Sequence, residues 1–238
     1  MAAGKELHYF DSRFEKGLDW YESQFRDADQ ARAVGEATPS YMYEAVAVSR
    51  IADALPTVRM VAILRNPVDR TYSDYLMLVT RGREQRVFEE AIEGEMNDAK
   101  PTTSYIDRSR YLYQLERLAE HLPDAALHVM ITEQLALEPR QTYQDLCRFL
   151  EIDATALPSD LGRRVNQYTE FRSLALRRSI KHRKPGLIRR ALEAANVKRR
   201  AAYRALEPAT AANLKSIFDS EVRALSEYLG RDLSKWWW

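Results

Sequence analysis

One cysteine, Cys147, stands among 238 residues, so no disulfide framework can form within the chain. No cysteine and histidine cluster has the spacing of a zinc site, and no metal is expected. This cysteine usage fits a reducing compartment, and the cytoplasm is the expected location. No apolar run approaches the roughly 18 residues of a membrane span, and the first residues do not form a signal peptide. Internal repeats and low-complexity segments are also absent. What remains is a chain long enough to bury a full core, read most simply as one domain over residues 1–238.

Charge is scarce in sum but uneven in layout. The formal net charge is +1, yet residues 163 to 204 hold fourteen of the 36 basic residues and two of the 35 acidic ones. Either an anionic ligand or surface faces this third of the chain, or the stretch is a solvated helical face. No nucleic acid partner is expected: Tyr168, Phe171 and Tyr203 are the only aromatics there, and no recognised motif accompanies them.

Residues 58 to 75, VRMVAILRNPVDRTYSDY, organise the rest. The run from Val58 to Leu64 reads as a strand covered on both faces of a parallel sheet. Arg65 ends it, Asn66-Pro67 marks a turn, and Val68 to Val79 keep helical spacing. Arg65 and Ser73 thus stand at the mouth of a strand-turn-helix unit, where α/β sheets hold ligands. Arg65 is either a strand-end side chain reaching to water or part of an anion site with the Ser73 hydroxyl.

Elsewhere the pattern predicts a partly helical apolar face over 12–25 broken at Gly17, a short strand at 33–36, and helices over about 43–54, 86–95, 105–121 and 139–150. A second buried strand spans Leu127 to Ile131, residues 154 to 170 look irregular, and two basic helical stretches are broken at Lys184-Pro185-Gly186. A final amphipathic helix begins at Pro208 and is capped by Gly230. Trp236 to Trp238 are expected to pack back onto the domain. Cys147 lies on an apolar helical face with no neighbouring base in sequence, the setting of a small core residue rather than of a nucleophile. Alternating strands and helices give an α/β fold with a small parallel sheet.

In order and spacing, KELHYFD (Lys5 to Asp11), GLDWY, EATPSY (Glu36 to Tyr41), LRNPVDRTYSDY, SRYLYQLERL and GRDLSKW resemble sulfotransferases that use 3′-phosphoadenosine-5′-phosphosulfate (PAPS), particularly the heparan-sulfate-type branch and its bacterial relatives. The match spans nearly the whole chain. It implies a P-loop-NTPase-like sulfotransferase fold, a small parallel sheet flanked by helices, with PAPS as co-substrate and a carbohydrate or other small acceptor. By the same resemblance Arg65 and Ser73 bind the 3′-phosphate, Glu6 is the general base, and His8 and Asp11, with Lys5 beside them, line the acceptor site. Carboxylates suit the basic role when the acceptor proton lies within hydrogen-bond reach. On spacing alone Glu6 and His8 share one face of an extended segment, while a histidine bonded to backbone is the commoner fate of a lone imidazole.

Three departures from the family pattern bear on activity. The PKxGTT-type loop that holds the transferred sulfate lies upstream of KELHYFD in relatives, and five residues precede Glu6 here. The N-terminal strand and loop are therefore expected to be missing, and the chain as it stands inactive or weakly active. Ala37 follows Glu36 where many members have lysine. Arg163, Arg164 and Asn166 fall near the family's late basic loop, with Lys181 to Lys184 as competitors, and Arg164 is assigned to the nucleotide. A non-catalytic module that binds an anionic nucleotide or polysaccharide is the alternative reading.

Overall fold

The computed structural model describes residues 2–28, 31–98, 104–123, 126–162, 168–171, 173, 176, 179–180, 186–201 and 206–238. In chain order its elements are α1 (Tyr9–Ser12), α2 (Leu18–Ser23), α3 (Ala45–Ala54), β1 (Met60–Leu64), α4 (Pro67–Thr80), α5 (Phe88–Asn97) and α6 (Leu112–His121). There follow β2 (Leu127–Ile131), α7 (Thr132–Leu137), α8 (Pro139–Phe149), β3 (Tyr168–Phe171), α9 (Leu187–Asn196), β4 (Val197–Ala201), α10 (Pro208–Leu229) and α11 (Ser234–Trp237). They fall into two compact units, one of Met1–Arg65, Arg110–Gly162 and Arg223–Trp238, the other of Asn66–Ser109 and Arg163–Val222.

The first unit holds the parallel pair, β1 beside β2, in register from Met60 against Leu127 to Leu64 against Ile131. Thr132, where β2 turns into α7, donates its hydroxyl to the Leu64 carbonyl at 2.8 Å and so ties the two strand ends together. An aromatic core packs alongside: Leu7, Tyr9, Phe10, Tyr21, Tyr41, Ala47 and Ile51, with Tyr9 and Tyr21 stacked at 4.9 Å. Such ring pairs add to the gain from area burial. Gly17 separates α1 from α2 at φ 78°, a left-handed value that costs glycine nothing. Trp237 is buried and donates its indole N–H to Glu133, so the terminal tryptophans do pack back. Cys147 is fully buried, as a core residue should be.

In the second unit α4 starts as its sequence predicts. The Asn66 side chain accepts the amides of Val68 and Asp69, and Pro67 occupies the first turn. On that helix Tyr72 and Tyr75 meet Phe88 with ring centroids 5.0 Å apart. The antiparallel pair β3 and β4 belongs to the same unit.

Four expectations change. Along β1, Ala62 and Leu64 are buried but Val61 and Ile63 are 36% and 58% exposed, so this strand is covered on one face; an apolar run alone cannot make that distinction. Residues 33–36 form no strand, and the Gly35 carbonyl instead accepts the Ala2 amide. The helix read over 105–121 begins at Leu112, and the amides of Tyr105, Ile106 and Asp107 ahead of it bond to the Glu95 carboxylate. Tyr168–Phe171 and Val197–Ala201, read as irregular and helical, pair as strands.

Candidate functional site

Two short segments of the first unit, 5–11 and 36–41, build the site by exchanging hydrogen bonds across about thirty residues of sequence. Glu36 is the hinge between them. Its carboxylate accepts the Leu7 amide at 3.3 Å, the Thr38 hydroxyl at 2.7 Å and the Tyr41 hydroxyl at 2.9 Å. Tyr41 in turn accepts the amides of Tyr9 (2.8 Å) and Phe10 (3.3 Å), and Thr38 accepts that of His8 (3.4 Å). Burial, with a further push from the Glu36 hydrogen bond, raises the Tyr41 phenol to about 12, so it stays a donor towards Glu36. Glu36 and Thr38 therefore serve the shape of the 6–10 backbone.

That backbone is strained rather than extended. Glu6 and His8 have φ of 54° and 53°, left-handed values that cost a residue with a Cβ roughly 1–2 kcal/mol each. Leu7, Tyr9 and Phe10 are buried around them, and the burial of three large side chains offsets that cost. Two arginines hold the carbonyls: Arg13 donates to that of Leu7 at 3.1 Å and Arg50 to that of Phe10 at 2.8 Å. The turn brings the Glu6 and His8 side chains together, as the sequence predicts, although through a left-handed bend.

Four of the predicted site residues gather here. Glu6 Oε1 lies 3.8 Å from Lys5 Nζ, and Glu6 Oε2 lies 3.8 Å from His8 Nε2. On the other edge of the imidazole, Nδ1 meets Asp11 Oδ2 at 2.8 Å. Burial pushes the Asp11 carboxyl up, but hydrogen bonds from Ser40 and His8, and the imidazole's charge, outweigh it and hold the group below its usual value. Asp11 is thus a carboxylate with no proton to give, so the hydrogen between it and His8 sits on Nδ1, and the opposite ring edge, Nε2, faces Glu6. Exposure follows the same order, 38% for the Glu6 side chain, 35% for His8 and 10% for Asp11. Glu6, outermost, accepts no hydrogen bond from the described residues and keeps its lone pairs available for a proton.

Arg65 follows the last residue of β1, and its carbonyl accepts the Tyr111 hydroxyl at 3.0 Å, which fixes the backbone where strand becomes turn. It belongs to the first unit, whereas Ser73 stands on α4 in the second. Arg164, Arg163 and Asn166 lie outside the described residues, as do Lys181 to Lys184. Ser40 and Tyr41 hold the 8–11 turn and are positions that the sequence reading missed. Both stand in EATPSY, but their partners are 29 to 32 residues away and carry no local signal.

A family model described as "Sulfotransferase family" matches residues 3–156. Over 144 residues, 60% of this chain and 36% of the relative, the sequence is 28% identical to heparan sulfate glucosamine 3-O-sulfotransferase 3B1 of Homo sapiens. To heparan sulfate glucosamine 3-O-sulfotransferase 5 of Homo sapiens it is 27% identical over 180 residues, 72% of this chain and 49% of that protein. The chain spans about a third to a half of the length of these curated relatives. Among solved structures, a sulfotransferase from Alicyclobacillus acidocaldarius superposes with a TM-score of 0.72 at 23% identity, covering 99% of this chain and 87% of that one, a likeness of fold.

Proposed function

The chain belongs to the sulfotransferase family, and on that premise we propose that it transfers a sulfuryl group from PAPS to a hydroxyl or amine of a carbohydrate or other small acceptor. The observation that supports this best is the graded cluster of Asp11, His8 and Glu6, whose outermost carboxylate lacks a hydrogen bond from the described residues. Glu6 takes the proton of the acceptor O–H or N–H as its oxygen or nitrogen bonds to sulfur. The bond from sulfur to the phosphate oxygen breaks, and its electron pair leaves with adenosine 3′,5′-bisphosphate. His8 and Asp11 border the acceptor, with Lys5 at the rim.

Such a transfer demands in-line placement of acceptor and leaving group, and stabilisation of charge on the leaving phosphate. We assign the 3′-phosphate to the Arg65 guanidinium and the Ser73 hydroxyl, and Arg164 to the same nucleotide. Support for Arg65 is its place at the C-terminal end of a parallel strand, the end at which α/β sheets present ligands. A cytoplasmic location goes with this reading, given one buried cysteine. No described helix is long and apolar enough to cross a membrane.

Isothermal titration with adenosine 3′,5′-bisphosphate, paired with transfer of radiolabelled sulfate from PAPS to a heparan-type oligosaccharide, tests the proposal. Binding is expected in the chain as it stands, with transfer weak or absent there and present in a version preceded by the PKxGTT-type loop. Binding without transfer in that version supports a non-catalytic module for an anionic nucleotide or polysaccharide, and absence of binding counts against both.

A further inference from the structure

We propose that Ser40 is a positioning residue for the Glu6 base, acting through Asp11 and His8. Its hydroxyl donates to Asp11 Oδ2 at 2.5 Å, the same oxygen that His8 Nδ1 meets at 2.8 Å. The other carboxylate oxygen, Oδ1, is buried and accepts no hydrogen bond from the described residues. The two close donors to Asp11 therefore converge on one atom, and of these two Ser40 comes from outside the 6–11 turn. With its hydrogen committed to Asp11, the Ser40 oxygen presents lone pairs to His8 Nδ1 at 3.4 Å. Oδ2 and Ser40 Oγ thus face the same ring nitrogen as acceptors, which keeps the hydrogen on Nδ1 and the Nε2 edge towards Glu6.

The dependence runs one way. A half-buried carboxylate that loses its Ser40 donor must turn or draw its other close donor nearer, because charge left unpaired out of water is costly. That other close donor is the imidazole itself. Removal of the Ser40 hydroxyl therefore moves the ring whose opposite edge lies 3.8 Å from Glu6. Ser40 touches no reacting atom, and its hydroxyl acts at one remove, on the same Asp11 oxygen as the imidazole.

The use made of the ring rests on the transferase reading, but its geometry does not, so the test reads the geometry directly. Nitrogen NMR of the chain labelled at histidine reports which nitrogen of His8 carries the hydrogen, with Ser40→Ala, Ser40→Thr and the parent compared at equal thermal stability. The parent is expected to show Nδ1 carrying hydrogen in every ring, Ser40→Ala a fraction of rings whose Nδ1 does not, and Ser40→Thr the parent pattern. In the transfer assay, with the upstream PKxGTT-type loop in place, Ser40→Ala is expected to lower kcat by about tenfold or more with KM for PAPS unchanged, and Ser40→Thr to restore it. An unaltered His8 pattern in Ser40→Ala overturns the positioning role whatever the activity. Absence of transfer in a parent that shows the expected patterns and carries the upstream PKxGTT-type loop overturns the transferase reading and leaves the assignment of Ser40 to the His8 and Asp11 pair standing.

Discussion

Glu6 in the first unit and Glu84 in the second carry the same carboxylate, and they spend it differently. Glu84 is buried and accepts the amides of Gln85 and Arg86, the Arg86 guanidinium and the Tyr105 hydroxyl. Its neighbour in kind, Glu95, accepts three consecutive amides, from Tyr105, Ile106 and Asp107. Among the described residues Glu6 has only a lysine and a histidine, each 3.8 Å away, on a backbone held in the left-handed region. A carboxylate whose lone pairs are filled by fixed donors is part of the scaffold. One held in place by strain and burial around it, with its own lone pairs left open, is placed for chemistry.

Replacement of Glu6 should separate the two kinds most widely. In a version carrying the upstream PKxGTT-type loop, Glu6→Gln is expected to lower sulfate transfer by about 100-fold to 10,000-fold, the span of general base catalysis, with binding of adenosine 3′,5′-bisphosphate nearly intact by titration calorimetry.

Glu84 should show itself in stability instead. The hydrogen bond from Arg86, against the opposing effect of burial, brings its carboxyl from 4.5 to about 2. A folded-state value below the unfolded one means stability that is present above about pH 4.5 and lost as pH falls towards 2. That difference corresponds to about 3 kcal/mol at neutral pH. Urea unfolding should show the parent losing this increment over the acid window, while Glu84→Gln starts lower at neutral pH and changes less. Glu95 carries the opposite sign: burial raises its carboxyl despite three amide bonds, so its contribution declines as pH rises above the ordinary carboxyl range.

Arg65→Ala is expected to weaken adenosine 3′,5′-bisphosphate binding by about tenfold to a hundredfold, the worth of a charge-assisted hydrogen bond to phosphate. An equal affinity in calorimetry would remove Arg65 from the nucleotide site. The smallest effect should be that of Glu6→Gln on unfolding, within about 0.5 kcal/mol by urea titration, since the side chain supports no buried partner.

Local pattern made much of this legible. The strand at Leu127–Ile131, the proline-started helix Pro67–Thr80 and the long helix from Pro208 to Leu229 with Gly230 beyond it all follow from periodicity and capping within a few residues. What failed is non-local. A carboxylate at Glu95 takes the amides of 105–107 ahead of the helix, and no feature of residues 105–111 announces it. Val197–Ala201 reads as basic helix until Tyr168–Phe171 offers it a ladder. The same division runs through the site. Glu6, His8 and Asp11 stand close enough in sequence to be read together, and motif resemblance gave them roles. Glu36, Ser40 and Tyr41 became visible only when the fold brought 36–41 against 5–11.

The measurement that bears most directly on the open carboxylate is transfer of radiolabelled sulfate from PAPS by a parent preceded by the PKxGTT-type loop and by Glu6→Gln in the same background, with adenosine 3′,5′-bisphosphate affinity measured on the same samples. Transfer by the parent, its near abolition in the variant, and matched nucleotide affinities are predicted. Equal transfer rates in the two proteins would contradict the role given to Glu6.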